Sequence, residues 1–504
     1  MIAADLRGPP YEEANVGMVA GLRHAVGLAF LSVSTAAAVL NGAGATPLVD
    51  AVRRGDSVLA RAELQKGADV NAVEADGTTA LHWAAYRNDA DIAQALIHAG
   101  ARVETPNRYG VRPLSLASEG GYAAIVKMLL EAGADPNIAQ GAGETALMTA
   151  ARSGSVSAVE ALLARGAAID TRETVRNQTA LMWAAAEGHT DVVRALARAG
   201  ASVSARSKNG FTPLLFAARE GHIQTVGALL DAGARLDESL AVSSVETAGG
   251  VEREQKEANL DAFLLATGNA HFELAAYLLE RGANPNAAPR GWTALHQVSW
   301  VRKMGEAGSN DPPPQGSGNM TSLEFVKKLI AKGGHVNAAV SSRRLPVGSS
   351  GLNFTGATPF FLAARTADVE LMRVLLDGGA NPRTPTAAGT TPLMVAAGVG
   401  SSLPGEEPGT EAEALEAVKL ALELGGDVNA VDANGDTAMH GAAYKHLPGV
   451  VQFLGTAGAK SEVWNRPNKA GHTPLQVAAG IQRGMNFVFS HETADAIRGL
   501  RSPR

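Results

Sequence analysis

The chain contains 12 histidines and no cysteine, so acid–base or metal chemistry near neutral pH would depend on histidine and carboxylate side chains. Three histidines, His82, His296 and His440, each follow a threonine by three positions. His440 and His446 are six positions apart, which does not place both on one helical face, so a shared metal ion is not indicated. His491-Glu492 lacks the second histidine of a zinc-protease helix. The histidine spacings therefore give no support for a metal centre.

Sequence motifs of other enzyme classes are also absent. No Gly-x-Gly-x-x-Gly or Gly-Lys-Ser/Thr phosphate loop occurs, and neither does a Gly-x-Ser-x-Gly elbow or a Ser-x-x-Lys pair. Paired carboxylates such as Glu406-Glu407 fall in a segment rich in proline and glycine, which is typical of a solvated loop. We therefore predict that the chain is not an enzyme and holds no cofactor or metal.

The bulk composition restricts the fold and the class of partner. A chain of 504 residues is too long for one ordinary hydrophobic core, so several domains or a repeat array are expected. Hydrophobic residues make up 46% of it but aromatic residues only 5%, so alanine, leucine, valine and glycine must provide most of the buried surface. The net charge of −6 gives no basis for binding nucleic acid, which requires a basic surface.

A segment near the N-terminus has the composition of an export signal. Arg23 precedes an apolar run over residues 25–40, and Ala43-Gly44-Ala45 follows it. A basic start, an apolar stretch of roughly 7–15 residues and a small-x-small end are typical of a secretory signal peptide. We therefore predict a signal peptide over residues 1–45, with Met18 as an alternative start, and a periplasmic or secreted protein. The alternatives are a buried first helix and a permanent membrane anchor, which would need about 20 apolar residues.

One sequence unit recurs through the rest of the chain. A Thr-(Pro/Ala)-(Leu/Met/Phe) triplet opens at Thr46, Thr79, Thr145, Thr179, Thr212, Thr293, Thr358, Thr391, Thr437 and Thr473. Thr46 and Thr79 lie 33 residues apart, and the degenerate copies Arg112-Pro113-Leu114 and Asp261-Ala262-Phe263 bring the number of copies to twelve. A fixed period of this length indicates a solenoid, in which each unit covers the apolar face of its neighbour.

Each unit is predicted to form two helices followed by a turn. In Thr79-Ala80-Leu81-His82-Trp83-Ala84-Ala85, the threonine is a candidate N-cap and the apolar residues share one helical face. A second helix such as Asp191–Leu196 follows and ends at glycine. The glycines predicted to take the left-handed conformation there are Gly67, Gly100, Gly133, Gly166, Gly200, Gly233, Gly282, Gly379 and Gly458. A polar, hairpin-like turn then leads to the next threonine.

This pattern resembles the ankyrin repeat over nearly all of residues 46–500. Thr79-Ala80-Leu81-His82 and Thr437-Ala438-Met439-His440 match its helix-start motif, and Gly67-Ala68-Asp69-Val70-Asn71 matches its loop. The resemblance implies an all-α repeat solenoid of about 12 stacked helix-turn-helix pairs, and together with the N-terminal segment it suggests an exported bacterial ankyrin-repeat protein. It also implies that the histidine of each helix-start motif hydrogen-bonds to the neighbouring turn, as a structural residue.

Changes in the repeat interval predict the domain organisation. Regular repeats 1–6 are expected over residues 46–236, followed by an insert at 237–258. Repeats 7–11 would then occupy residues 259–472 and carry inserted loops at 305–319, 340–354 and 401–410. The last unit, 473–504, would be a C-terminal capping repeat and tail, because a solenoid end must present a polar outer face.

The resemblance places partner binding on the concave side, which is built from the turn tips and the exposed ends of the first helices. Tyrosine, tryptophan and arginine dominate interface hot spots, so their placement on this side marks candidate contacts. The predicted partner-binding residues are Tyr86, Arg87, Tyr109, Arg176, Phe211, Arg219, Trp292, Trp300, Arg365, Tyr444 and Lys445. Some of these aromatic residues could instead pack on neighbouring turns, and the inserted loops at 305–319 and 340–354 are a second candidate surface.

These observations favour a non-catalytic protein-protein interaction scaffold of an extracytoplasmic compartment. One alternative is a dedicated regulatory or protective partner of a single exported enzyme or toxin. The other is an enzyme whose site is assembled from the inserted loops. The expected partners are proteins, with no nucleic acid and no permanent membrane anchor once the signal has been removed.

Overall fold

A computed structural model describes residues 46–240, 244–246, 252–254, 260–303, 314–345, 351–401, 408–483 and 486–501. The predicted signal peptide at 1–45 lies outside these residues. So do parts of all four predicted inserts and the last three residues of the tail. The domain boundaries proposed from the sequence therefore remain predictions.

The threonine triplets open the first helix of each repeat. The first helices of repeats 1 to 11 are labelled with the odd numbers α1 to α21. The first helix of repeat 12 is α24. They are α1 Pro47–Arg54, α3 Ala80–Tyr86, α5 Pro113–Glu119, α7 Ala146–Ser153, α9 Ala180–Ala186, α11 Pro213–Arg219, α13 Ala262–Gly268, α15 Ala294–Arg302, α17 Pro359–Arg365, α19 Pro392–Ala396, α21 Ala438–Lys445 and α24 Pro474–Ala479. In most of them the threonine hydroxyl accepts a hydrogen bond from the N–H three residues on, as in α3 and α7. The predicted N-cap role of the threonine is confirmed there.

A second helix follows in each repeat and runs back beside the first. These helices carry even labels. They are α2 Ser57–Gln65, α4 Ala90–His98, α6 Ala123–Glu131, α8 Val156–Ala164, α10 Thr190–Arg198, α12 Ile223–Asp231, α14 Phe272–Glu280, α16 Ser322–Ala331, α18 Val369–Asp377, α20 Glu411–Glu423 and α22 Pro448–Thr456. First helices contact first helices of the next repeat and second helices contact second helices, so the pairs are stacked in register. The predicted all-α repeat solenoid is confirmed.

The core runs continuously through the stack instead of being divided into domains. In α7, every residue from Ala146 to Ala151 is buried, because a first helix lies between two neighbouring repeats and the second helix of its own repeat. The pairs Ala84-Ala85 and Ala184-Ala185 are fully buried in equivalent positions. Alanine here allows adjacent first helices to approach closely, which explains how a chain poor in aromatic residues builds a core.

The glycines at the ends of the second helices take the left-handed conformation that the sequence predicted. Gly67, Gly166 and Gly458, for example, have φ of 79°, 81° and 93°. Non-glycine residues pay a steric cost in this region, so glycine ends the helix and turns the chain toward the next repeat. The prediction is confirmed for all nine glycines named above.

The inserts add short strands and loops to the helical stack. Strands β1 Ser244–Glu246 and β2 Glu252–Glu254 pair antiparallel between α12 and α13. Ser401 follows α19, and the described chain resumes at Pro408, just before α20. These small hairpin and loop segments leave the helical stacking unbroken.

The C-terminal unit differs from the others. After α22 come the short helix α23 Ser461–Trp464, then α24, an antiparallel hairpin of β3 Ile481–Arg483 and β4 Asn486–Val488, and α25 His491–Arg501. Helix α25 packs on α22 and α24, with Ala494 and Ile497 buried in that contact. It thereby covers the apolar end of the stack. The hairpin before it was not expected from the sequence.

Candidate partner-binding surface

The helix-start histidines are structural, as the resemblance implied. His296 is fully buried, and its Nδ1 accepts a hydrogen bond from the Thr293 N–H at 3.1 Å. Its Nε2 must then carry the proton, and it lies 3.0 Å from the Ala338 carbonyl and 3.2 Å from that of Ala357. His82 forms the same arrangement with Thr79 and Val111. Each histidine therefore ties the start of its helix to the next turn.

Burial lowers the pKa of two helix-start histidines well below the ordinary value. It lowers the pKa of His296 to about 4, although hydrogen bonds to the Ala357 and Ala338 carbonyls oppose the shift. It also lowers the pKa of His440 to about 4, against a hydrogen bond to the His472 carbonyl. Both rings are therefore neutral at physiological pH. A neutral ring with both nitrogens already bonded has no free position for general acid–base catalysis.

A second set of histidines lies between the two helices of a repeat. His189 Nε2 lies 2.8 Å from the Arg152 carbonyl, and His222 Nε2 lies 3.1 Å from that of Ala186. Both contacts reach the preceding repeat, so these side chains also have a structural role.

His271 is buried, because the described end of the 305–319 insert packs over its ring. Its Nε2 contacts the Arg219 carbonyl at 2.8 Å, while its Nδ1 accepts from the Ser317 N–H at 2.8 Å. Glu273 is exposed, and it accepts a hydrogen bond from the Asn319 N–H at 2.8 Å. The pair therefore anchors the described end of the insert.

The described residues contain no cluster of three or more histidine or acidic side chains able to hold a metal ion. Across those same segments, no helix is long and apolar enough to cross a membrane.

Turn tips of adjacent repeats are joined by backbone hydrogen bonds. The Arg108 N–H donates to the Asp76 carbonyl at 2.8 Å, and the Lys208 N–H donates to that of Arg176 at 2.8 Å. The same link recurs in the later half, where the Lys469 N–H donates to the Asn434 carbonyl at 2.7 Å. Backbone hydrogen bonds thus link many of the described tips to their neighbours. We call the surface made by these tips and by the C-terminal ends of the first helices the turn-tip face.

Two predicted tyrosines are exposed on the turn-tip face. Tyr86, at the end of α3, is 41% exposed and packs edge-on against Trp83 with ring centroids 6.0 Å apart. Tyr109, at a turn tip, is 51% exposed, and the Arg108 guanidinium lies 4.8 Å from its ring centroid and donates a hydrogen bond to its hydroxyl. Both rings present large apolar area beside a cation, the composition that protein interfaces favour.

The predicted cations Arg87 and Arg176 are exposed as well. Arg87 follows α3 and donates to the Arg53 carbonyl at 3.2 Å. Arg176 lies at a tip because the buried carboxylate of Glu173 accepts hydrogen bonds from the backbone N–H groups of Val175, Arg176 and Gln178 at 2.7–2.9 Å. Glu173 thus shapes the turn, with Val175 57% exposed at its tip.

Three predicted residues are only partly exposed. The guanidinium of Arg219 lies over the Phe211 ring at 4.9 Å and pairs with Glu220 at 3.0 Å. Trp300 packs edge-on against Trp292 with ring centroids 6.0 Å apart. Tyr444 accepts a hydrogen bond from Asn468 Nδ2 at 2.8 Å. Each of these side chains contacts a turn and retains part of its surface for a partner.

Four predicted residues are buried, which corrects their assignment to an open surface. They are Phe211, Trp292, Arg365 and Lys445, each less than a tenth exposed. The turn aromatics fold back onto the first helix: Phe211 packs on Phe216 with centroids 5.0 Å apart, and Phe354 lies 5.8 Å from the Arg365 guanidinium. Lys445 donates to the Pro408 carbonyl at 2.6 Å. The buried surface of these four side chains stabilises the stack and is not available to a partner.

Inserts close over these side chains instead of projecting freely. In the 340–354 insert, Val340, Leu352 and Phe354 are buried, and the Val340 N–H donates to the Ala357 carbonyl at 2.8 Å. These described parts pack on the repeats. Their role as a variable recognition surface stays a prediction.

A ladder of asparagines was missed by the sequence analysis. The Asn137 side chain donates to the Gly166 carbonyl at 3.0 Å and accepts from the Ala168 N–H at 2.7 Å. Asn71, Asn286, Asn337 and Asn429 make the same pair of bonds to the following repeat. The recurrence of asparagine in Asp-Val-Asn and its variants was the available signal, and it was interpreted only as turn chemistry.

Comparison with known protein families supports the repeat assignment. A profile of ankyrin repeats in three copies matches residues 27–107, 48–140, 106–173 and 147–239, and a single ankyrin-repeat profile matches residues 355–387. The matched segments include all six regular repeats and the repeat that opens at Thr358.

Two relatives contain the same kind of repeat. The chain is 33% identical over 229 residues to human "Ankyrin repeat and SOCS box protein 16", over 42% of this chain and 46% of the relative. It therefore spans about half the length of that relative. Among solved structures, the ankyrin repeat domain of human ASB11 is similar at 28% identity, with a TM-score of 0.40, over 48% of this chain and 100% of that domain.

Proposed function

Because the chain is built from ankyrin repeats, we propose that it is a protein-protein interaction scaffold that binds its partner on the turn-tip face, the concave side expected of ankyrin-type stacks. The exposed tyrosines Tyr86 and Tyr109 carry this proposal. In a chain with 5% aromatic residues, both lie on this face beside arginines, and neither is needed to fill the core. Burying an exposed tyrosine against a partner contributes large apolar area at a small cost in side-chain entropy.

The rigidity of this face supports binding. Backbone bonds join the turn tips, and the helix-start histidines fix each first helix to the following turn. A surface ordered before binding loses little conformational entropy when a partner docks. The candidate contacts that keep exposed or half-exposed area are Tyr86, Arg87, Tyr109, Arg176, Arg219, Trp300 and Tyr444.

We further propose that the protein works outside the cytoplasm. The support is the basic and apolar composition of residues 1–45. The test is to express the full chain in its native host, fractionate the cells and sequence the N-terminus of the product. Cleavage after Ala45 with recovery outside the cytoplasm supports the proposal, whereas an intact N-terminus in the cytoplasm contradicts it.

Site-specific photo-crosslinking tests the binding proposal. A photoreactive amino acid replaces Tyr86 or Tyr109 on the turn-tip face, or the exposed Lys127 on the second helix α6 as a matched control. Crosslinking is carried out in the native compartment, and the adducts are identified by mass spectrometry. We expect a protein adduct from the two tyrosine positions and none from Lys127. The same adducts from all three positions, or none at either tyrosine, would contradict partner binding on this face.

The adducts also distinguish a general scaffold from a dedicated partner of one exported protein. A single stoichiometric adduct indicates the dedicated partner, and several substoichiometric adducts indicate the scaffold.

A further inference from the structure

The exposed charges at the turn tips are positive, whereas the whole chain, with 50 acidic and 44 basic residues, is negative. Six of the ten described tips between consecutive repeats carry a cation. The carboxylates in the described turns are partly or fully buried: Glu74, Asp76, Glu144, Glu173, Asp432 and Asp436. The tip cations are Arg108, Arg176, Lys208, Arg290, the pair Arg343-Arg344, and Lys469. A local charge opposite in sign to the molecule is the feature that selects a charged partner.

Three of these cations lie in the regular half. Arg108, Arg176 and Lys208 occupy the tips of repeats 3, 5 and 6, and all three are exposed. Within the described part of the chain none of them forms a salt bridge, and the neutral Tyr109 hydroxyl is the hydrogen-bond acceptor of Arg108. Their charges therefore remain available to an incoming anion. Exposed Tyr109 and Val175 add apolar area beside two of them.

From this arrangement we propose that the turn-tip face binds an extended acidic segment of its protein partner, laid across the tips of repeats 3 to 6. This inference rests on the proposed function and specifies the partner's chemistry. Packed helices are about 8–10 Å apart, so successive tips are separated by roughly 10 Å. An extended chain rises about 3.3 Å per residue, so one repeat corresponds to about three residues. The partner should carry acidic side chains about three or six positions apart, with apolar residues between them.

Nucleic acid fits the same surface less well. Its phosphates follow each other at about 1.7 Å of duplex axis, a far denser charge than one cation per repeat can neutralise. A protein segment with spaced carboxylates and apolar side chains avoids this difficulty.

The test uses the full chain and a fluorescein-labelled peptide of about 20 residues with glutamate at every third position and leucine or tyrosine between. Fluorescence anisotropy measures its affinity for the wild-type chain and for R108E/R176E/K208E. The matched control is K127E/R194E/R198E, which makes the same charge change at exposed positions on the second helices α6 and α10. Circular dichroism melts confirm that both variants fold.

The expected result is binding of the glutamate peptide that the tip reversal weakens about tenfold or more and the control reversal leaves unchanged within about twofold. Binding should also weaken between about 50 mM and about 300 mM salt. A peptide with lysine in place of glutamate should bind at least about tenfold more weakly. The proposal is overturned if the two peptides bind equally, if the tip reversal has no effect, or if single-stranded DNA binds more tightly than the glutamate peptide.

Crosslinking with the same two variants separates this inference from the proposed function. If adducts form at Tyr86 and Tyr109 and persist in R108E/R176E/K208E, the scaffold proposal stands and the acidic-segment proposal fails. If no adducts form in the wild-type chain, the scaffold proposal itself fails. Loss of the adduct in the tip reversal alone supports both.

Discussion

Replacing His296 with glutamine should make the solenoid less sensitive to acid. The chain itself indicates the replacement: Gln476 occupies the equivalent place in α24, and its Oε1 accepts from the Thr473 N–H at 2.8 Å, as His296 Nδ1 accepts from the Thr293 N–H. Glutamine keeps this cap and cannot take up a proton in the accessible pH range.

The magnitude follows from the difference between the folded and unfolded chains. Unfolded, His296 takes up a proton near its ordinary pKa of 6.5, whereas burial lowers its pKa in the folded protein to about 4. The folded state therefore binds fewer protons, and the stability present above pH 6.5 is lost as the pH falls toward 4. At pH 5 the loss attributable to this one ring is about 2 kcal/mol. His440, whose pKa is also about 4, contributes a similar loss that both proteins share.

Urea unfolding at pH 7 and pH 5, followed by tryptophan fluorescence, measures this difference. Trp292 and Trp300 flank His296 in sequence and contribute to this signal together with the three tryptophans elsewhere in the stack. H296Q should be less stable at pH 7 by about 1–3 kcal/mol, since the Ala338 and Ala357 carbonyls lose their donor.

Between pH 7 and pH 5, however, H296Q should lose about 2 kcal/mol less than the wild type. The exposed His98, replaced by glutamine, is the control and should leave the pH response unchanged. Equal losses in H296Q and the wild type would refute the assignment of acid sensitivity to this buried ring.

Three further substitutions test the packing. G154A should destabilise the fold more than G67A. Both glycines have φ near 79°, so alanine costs about 1 kcal/mol at either position, but only at Gly154 would the added Cβ also meet the His189 ring, at 2.8 Å. Equal melting temperatures of the two variants would contradict this. N137A should cost about 1–2 kcal/mol in urea unfolding through its two lost bonds to the next repeat, and no change would show that the asparagine ladder is dispensable. I497A should cost about 2–5 kcal/mol and increase light scattering on heating, since Ile497 is fully buried under the C-terminal cap; an unchanged melt would disprove the capping role of α25.

The turn between the two helices of a repeat contacts the preceding repeat through more than one kind of bond. In the regular half, His189 and His222 donate from the inter-helix turn to the preceding repeat. At a later repeat, Asp368 occupies the inter-helix turn: this buried carboxylate contacts the Arg302 guanidinium at 2.6 Å, and Arg302 also contacts Glu370 at 3.2 Å. A buried carboxylate without its cation would be strongly destabilising, so this contact depends on charge pairing.

The neighbouring Lys303 extends this charge pairing by one more repeat. Its ammonium donates to Glu413 at 2.7 Å and to the Ala367 carbonyl at 3.1 Å. The hydrogen bond from Lys303 and the Thr410 N–H together lower the pKa of Glu413 to about 2. The ion pairs thus link three consecutive repeats at the positions where inserts lengthen the inter-helix turns.

The sequence by itself determined the repeat fold. The threonine triplets fixed where first helices begin, and the glycines fixed where second helices end, because capping and left-handed turns depend on residues only a few positions apart. The structural role of the helix-start histidines came from the resemblance to the ankyrin repeat, and the hydrogen bonds of His82, His296 and His440 to the following turn confirm it. Because the same helix pair recurs at a fixed period, each pair stacks on the next, and the local signals therefore predict the tertiary arrangement.

Only the tertiary structure decided which polar and aromatic side chains remain open. Phe211 and Trp292 follow the turn glycine and fold onto the first helix of their own repeat, whereas Tyr109 precedes the turn glycine and stays exposed. His271 is buried by residues more than 40 positions away in the chain. Exposure depends on what the neighbouring turns and inserts cover, and that contact is set by packing between segments that no short sequence pattern connects.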